Sequence, residues 1–181
     1  MPVTEHLFAD FPPRRLYVDT NMLISYLFRS ERYYARCVVF FRRLAGTGVT
    51  TLYISSLTWM EFAHVVLGQR FRDRLPPAIR QRFHLDRWHE RSVREWYFAE
   101  YRRALEALLG QFAWDEIALT PEIRAEALAL MVEYDLGSQD AVHLASARLA
   151  GVRDFASFDR AFRRVDGLHL WNDQIYVGQP I

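Results

Sequence analysis

Arg14-Arg15-Leu16-Tyr17-Val18-Asp19-Thr20-Asn21-Met22-Leu23-Ile24 is the stretch on which the reading of the whole chain turns. Leu16 to Val18 is a short apolar run that stops at an acid. The chain then enters an apolar-rich segment in which Ile24, Leu27 and Phe28 recur at helical spacing. Asp19 therefore stands just past the carboxyl end of a predicted strand and at the start of a helix, where open α/β sheets bind ligands. Aspartate, threonine and asparagine are also strong helix N-caps, so a purely structural role competes for Asp19, Thr20 and Asn21. Recurrence shifts the balance: an acid near a strand end or helix start returns three more times downstream.

Outward from this stretch, Tyr34, Cys37, Val38, Phe41, Leu44 and Ala45 share one helical face, and Gly46 and Gly48 follow as stop signals. Thr51 to Ser55 is β-branched and aromatic, a second strand. It flows into a predicted helix over Ser56 to Leu67 whose early turns carry Glu61. Ile117 to Leu119 is a short strand candidate. Thr120-Pro121-Glu122 is a helix start, with an N-cap threonine, proline in the first position and an acid in the first turn. Ile123, Ala127, Leu130, Met131 and Tyr134 form its buried stripe, and Gly137 ends it. Ser138-Gln139-Asp140 opens an alanine-rich helix that ends at Gly151. Asp154 to Phe158 is a strand that stops at Asp159; a short helix, Arg160 to Val165, and a last strand, Leu168 to Trp171, follow. Strands alternating with helices predict an α/β sandwich with a mostly parallel sheet. The 181 residues fit a single domain spanning 1–181.

Hydrophobic residues make up 51% of the chain, enough for a core that needs no staples. Cys37 is the one cysteine, which excludes an internal disulfide and fits a reducing, cytoplasmic setting; its apolar neighbours place it in the core. No uninterrupted apolar run is long enough to span a membrane. Met1 to Arg15 carries three prolines and two acids without an apolar centre, unlike a signal peptide. Net charge is +1, and all 23 basic residues are arginine, so chemistry that requires a catalytic lysine is excluded. Residues 70 to 103 hold ten arginines and five acids, broken by Pro76-Pro77, with Phe83, Trp88, Trp96, Tyr97 and Tyr101 among them. The pattern predicts a helical insert over about 70–110. The mixed acids favour a solvated helical face over a nucleic-acid surface.

Asp19, Glu61, Asp140 and Asp159 thus stand at comparable places. Each has a bland reading: Thr58 and Glu61 match a capping box, Asp140 complements a helix dipole, and Asp159 caps the Arg160 helix. Together they are harder to dismiss, because a parallel sheet gathers its strand ends on one edge. Carboxylates gathered there repel one another unless a positive charge sits between them. A hard divalent cation with oxygen ligands meets that need.

Val18-Asp19-Thr20-Asn21, Ile54 to Phe62, Asp140-Ala141-Val142-His143-Leu144-Ala145 and Ala156 to Phe162 resemble the four acidic motifs of the PIN-domain nucleases, most closely the VapC-type toxins of toxin–antitoxin pairs. The motifs come in the family's order and span residues 15 to 172. The resemblance implies a three-layer α/β/α sandwich around a five-stranded parallel sheet. It also implies Mg2+- or Mn2+-dependent cleavage of RNA, inhibition by a cognate antitoxin, and homodimers. Asp19, Asp140 and Asp159 would hold the metal, and Glu61 would complete the catalytic set. Thr20, Asn21 and Ser157 would orient ligands or waters. Ser157 stands where many members carry threonine, a departure that keeps the hydroxyl. His143 has two readings, an acid/base group or a packed, hydrogen-bonded histidine; its place in the alanine-rich helix favours the second.

Two rivals remain. Haloacid-dehalogenase-like phosphatases also place an acid after the first strand, but they need a second acid two residues on, where this chain has Asn21, and a supporting lysine. A non-catalytic PIN-like module for RNA or protein binding is the other; it gives no reason for four repelling carboxylates.

Overall fold

Leu16, Tyr17 and Val18 are fully buried, as a central parallel strand covered on both faces must be. They lie in β2 (Arg15–Val18), one of six strands in a single sheet ordered β1-β6-β5-β2-β3-β4. The computed structural model describes residues 1–65 and 110–173, with residues 95, 99, 102, 103, 106 and 107 between them. The remaining strands are β1 (Thr4–His6), β3 (Thr51–Ser55), β4 (Trp114–Ile117), β5 (Asp154–Ala156) and β6 (His169–Trp171). All pairings are parallel. The helices are α1 (Thr20–Leu27), α2 (Tyr34–Thr47), α3 (Ser56–Val65), α4 (Pro121–Tyr134) and α5 (Ser138–Leu149), with a 3-10 turn at Arg160–Arg164.

Strand alternation sorts the core into two layers. Leu16 and Val18 face Met22, Leu23, Phe40, Phe41 and Leu44 from α1 and α2. Tyr17 points the other way, to Ile123, Ala127 and Leu130 of α4 and Leu144 and Ala145 of α5. Fully buried Ala141, Ala145 and Ala147 let α5 lie close against the sheet. Cys37 is buried in the first layer, and burial pushes its thiol up to about 12, which suits packing rather than reactivity.

Several sequence expectations need correction. The sheet has six strands rather than five. The extra one, β1, is a three-residue polar edge strand, too short to show a pattern. β4 covers Trp114–Ile117 rather than Ile117 to Leu119. Trp114 pairs opposite Leu52, and Leu119 is half exposed in the connection to α4. β5 ends at Ala156 rather than Phe158, because the Ser157 hydroxyl and the Phe158 N–H turn toward Asp19 and Asn21. α4 begins as read, with Thr120 Oγ1 accepting from Ile123 N at 3.3 Å, but it ends at Tyr134, before Gly137. Asp135 follows it in the left-handed region, φ 51°. Nearly all of the expected 70–110 insert, including Pro76-Pro77, lies outside the described residues.

Candidate active site

In sequence β3 and β4 extend the sheet on one side of β2, and β5 and β6 on the other. The strand order therefore reverses at β2, and a crevice opens beyond the carboxyl ends there. Asp19 follows β2, α3 follows β3 directly, and Ser157 follows β5, so three chain segments converge on this point. A cleft of about 390 Å³ lies there, lined by Asp19, Thr20, Asn21, Glu61, Asp140 and His143 among others. Ser157 and Asp159 are not in its lining; Ser157 is hydrogen-bonded to Asp19 and Asn21, and Asp159 N donates to Ser157.

Asp19 sits at the N-cap position of α1 but makes no side-chain capping hydrogen bond. Its carboxylate is buried and held by other side chains. Oδ2 accepts from Asn21 Nδ2 and from Ser157 Oγ, each at 2.6 Å. Asn21 Nδ2 also reaches Ser157 Oγ at 3.0 Å, and Asn21 Oδ1 accepts from Phe158 N at 3.1 Å. Ser157 Oγ accepts from Asp159 N at 2.9 Å. Asn21 and Ser157 thus join the end of β2 to the end of β5 through Asp19. Asp159 does act as a cap, its Oδ1 accepting from Ala161 N at 2.7 Å.

Glu61 does not form the capping box that Thr58 and Glu61 spell out. Thr58 Oγ1 accepts from Ser55 N at 3.3 Å, while Glu61 Oε2 accepts from Thr20 Oγ1 at 2.5 Å and pairs with His143 Nε2 at 2.8 Å. His143 is buried, with Nδ1 2.8 Å from the Tyr17 hydroxyl and Nε2 3.8 Å from Asp19 Oδ1. His143 is therefore the packed, hydrogen-bonded histidine, and it also brings positive charge to Asp19 and Glu61. Its position three residues after Asp140 places it on the same face of α5. The role of Tyr17 is one the sequence reading missed; the only signal was a polar-tipped residue in an otherwise apolar strand.

Electrostatics follow from this packing. Burial raises Asp19, and the nearby charge of His143 and the Ser157 hydrogen bond only partly offset it. Burial would raise Glu61 as well, but the hydrogen bond and charge of His143, with Thr20, overcome it and lower the carboxyl. Burial pulls His143 down, while Glu61 and Asp19 raise it more, so the imidazolium is favoured. Asp140 is pushed up to about 6, by burial first and then by the negative charges of Asp159, Asp19 and Glu61. The cluster thus still lacks positive charge after His143 has contributed. Its carboxylate oxygens suit a hard divalent cation. Asp19, Glu61 and His143 each offer a ligand atom within 4.8 Å of the others. Both ring nitrogens of His143 are already engaged, which leaves the carboxylates as the groups that could hold an ion.

The family model of the PIN domain matches residues 16–168. No curated protein matches the chain. Among solved structures, VapBC2 from Rickettsia felis, bound to a promoter DNA fragment, aligns with TM-score 0.56 and 15% identity over 87% of this chain and 98% of that chain. A toxin–antitoxin complex from Klebsiella pneumoniae aligns with TM-score 0.51 and 21% identity over 84% of this chain and 94% of that chain. VapC20 of Mycobacterium tuberculosis, a sarcin–ricin loop cleaving toxin, aligns with TM-score 0.50 and 14% identity over 81% of this chain and 92% of that chain. At these identities the likeness is one of fold.

Proposed function

The chain belongs to the PIN domain family, and from that premise we propose that it is a Mg2+- or Mn2+-dependent endoribonuclease, the toxin of a toxin–antitoxin pair. The observation that carries this reading is the buried Asp19 carboxylate, held by Asn21 and Ser157 instead of capping its helix, beside an Asp140 that burial, and then its acidic neighbours, push up to about 6. Such a cluster is costly for a protein that has no cation to place there.

Asp19, Asp140 and Asp159 would hold the ion, with Glu61 completing the site. When bound, the ion supplies charge neutralisation at the phosphodiester and lowers the pKa of the attacking water. Asn21 and Ser157 fix the Asp19 carboxylate, Thr20 fixes Glu61, and His143 keeps Glu61 ionised. Asp140 is partly exposed and lines the cleft, where a substrate could reach it. RNA is the proposed substrate, in keeping with the activity named for VapC20. A cognate antitoxin is the proposed inhibitor, and the complexes formed by the structural relatives support it. A homodimer acting in the cytoplasm completes the proposal. We also take residues 1–181 as one domain, because β1 pairs with β6 and joins the two ends of the described chain.

Thermal melting with and without Mn2+ tests the metal. At tenfold excess over the dissociation constant, one specific site adds about 1.4 kcal/mol of stability. A rise in melting temperature that Asp140→Asn abolishes is the expected result. An unchanged melting temperature would favour the non-catalytic binding module.

A further inference from the structure

His6, Asp154 and His169 form a second cluster, on the adjacent strands β1, β5 and β6. Asp154 stands opposite His169 in register, and His6 stands opposite Trp171, two residues along from His169. Residues two apart share a face of the sheet, so the three side chains project together. One ligand atom of each lies within 4.8 Å of the others. An ion with bonds of about 2 Å would draw them in by about 1.5 Å, a movement within the reach of side-chain rotation.

Two further observations point to a ligand. His6 Nε2 is buried and has no hydrogen-bond partner among the described residues, a state that native proteins avoid unless something fills it. The other ring nitrogen, Nδ1, lies 3.6 Å from Asp10 Oδ2, and Leu7 N donates to that same oxygen at 2.9 Å. A proton on Nδ1 facing Asp10 leaves the lone pair on Nε2, as in carboxylate–histidine–metal arrangements. On the other side of the cluster, Trp171 Nε1 donates to Asp154 Oδ1 at 2.8 Å and fixes that carboxylate. His169 Nδ1 lies 3.6 Å from the same oxygen. The side chains of His6, Asp154 and His169 are 27%, 25% and 42% exposed, so the cluster can be reached from solvent.

The geometry points to a borderline divalent cation site of the zinc class at His6, Asp154 and His169, clamping the edge strand β1 to β6 and β5. Two imidazoles and one carboxylate suit Zn2+, whereas the clustered carboxylates of the cleft suit Mg2+ or Mn2+. The two sites are therefore separable by ion. The clamp is also independent of the proposed nuclease activity.

Zn2+ is titrated into the protein in excess Mg2+, added to compete at the acidic cleft, and the ring nitrogen resonances of the six histidines are followed. The expected result is that at one equivalent the His6 and His169 rings, and no others, take up metal-bound shifts. His169→Asn is expected to remove this binding, and Asp10→Asn to weaken it by about 10- to 100-fold. The ring titration of the wild type decides the matter even if a variant fails to fold. Unmoved His6 and His169 resonances at one equivalent, or undiminished zinc affinity in folded His169→Asn, would overturn the site.

Discussion

Asp19 occupies a capping position without capping, so side-chain capping does not account for an acid at this residue. Asp159 caps, as its bland reading had it, and it also contributes negative charge to Asp140. His143 is the least replaceable of the polar groups, since it neutralises Glu61 and Asp19 from inside the protein. His143→Ala is expected to cost about 3–5 kcal/mol in urea unfolding, because it strands buried charge. The pH dependence has a definite sign. The folded-state pKa of His143 is raised above 6.5, so its contribution is whole below that value and is lost as pH rises through the folded one. Asp140, raised from 3.8 to about 6, binds a proton in the folded state that the unfolded chain has released. Metal-free stability should therefore fall as pH rises across that window. Glu61 acts oppositely, and its contribution is lost only as pH falls below its ordinary 4.5. Melting of the metal-free protein between pH 5 and 7 is expected to show a decline. Mn2+ affinity, read by calorimetry, should rise over the same range, because ligating carboxylates must be ionised. Gly137 offers a finer probe: a Cβ there would sit 3.2 Å from Asp140 Oδ2. Gly137→Ala is expected to weaken Mn2+ binding by making that carboxylate give by a few tenths of an ångström, with little change in stability; calorimetric affinity equal to the wild type's would count against Asp140 as a ligand.

The elements that were legible in the sequence are those whose local chemistry and burial agree. β3 is Thr51–Ser55 as read, and α4 starts where Thr120 and Pro121 say it must. Thr120→Ala should cost about 1 kcal/mol and leave the Mn2+ effect intact, since it removes only a cap remote from the cleft. β1 carries Thr-Glu-His and is held by pairing with β6, a contact that no local pattern announces. β5 was over-extended because Ser157 and Phe158 look like strand residues; Ser157 N still donates to Trp171 O, but the Phe158 N–H leaves the ladder for Asn21 and the Ser157 hydroxyl turns to Asp19. The stretch from Asp19 to Phe41 is rich in aromatic residues, the kind an interface uses. Phe40 and Phe41 are buried, however, packed with Phe8, Trp171 and Phe112. Those two therefore lend no support to a dimer.

In the molecule as a whole, parallel pairing and the reversal of strand order at β2 bring motifs more than a hundred residues apart to one crevice, as in the Asp19–Ser157 contact. That convergence was legible because four acids recur at strand ends and helix starts. The positive charge inside it was not, because the partnership of His143 with Glu61 spans 82 residues and depends on how α3 and α5 pack. The most direct measurement is the Mn2+-dependent rate at which Asp19→Asn cleaves a mixed RNA pool, set against the wild type. Asparagine caps helices about as well as aspartate, so the variant should stay folded. Loss of a metal carboxylate should lower cleavage by orders of magnitude. A variant that cleaves RNA at the wild-type rate, with the same dependence on Mn2+, would contradict the proposed metal centre.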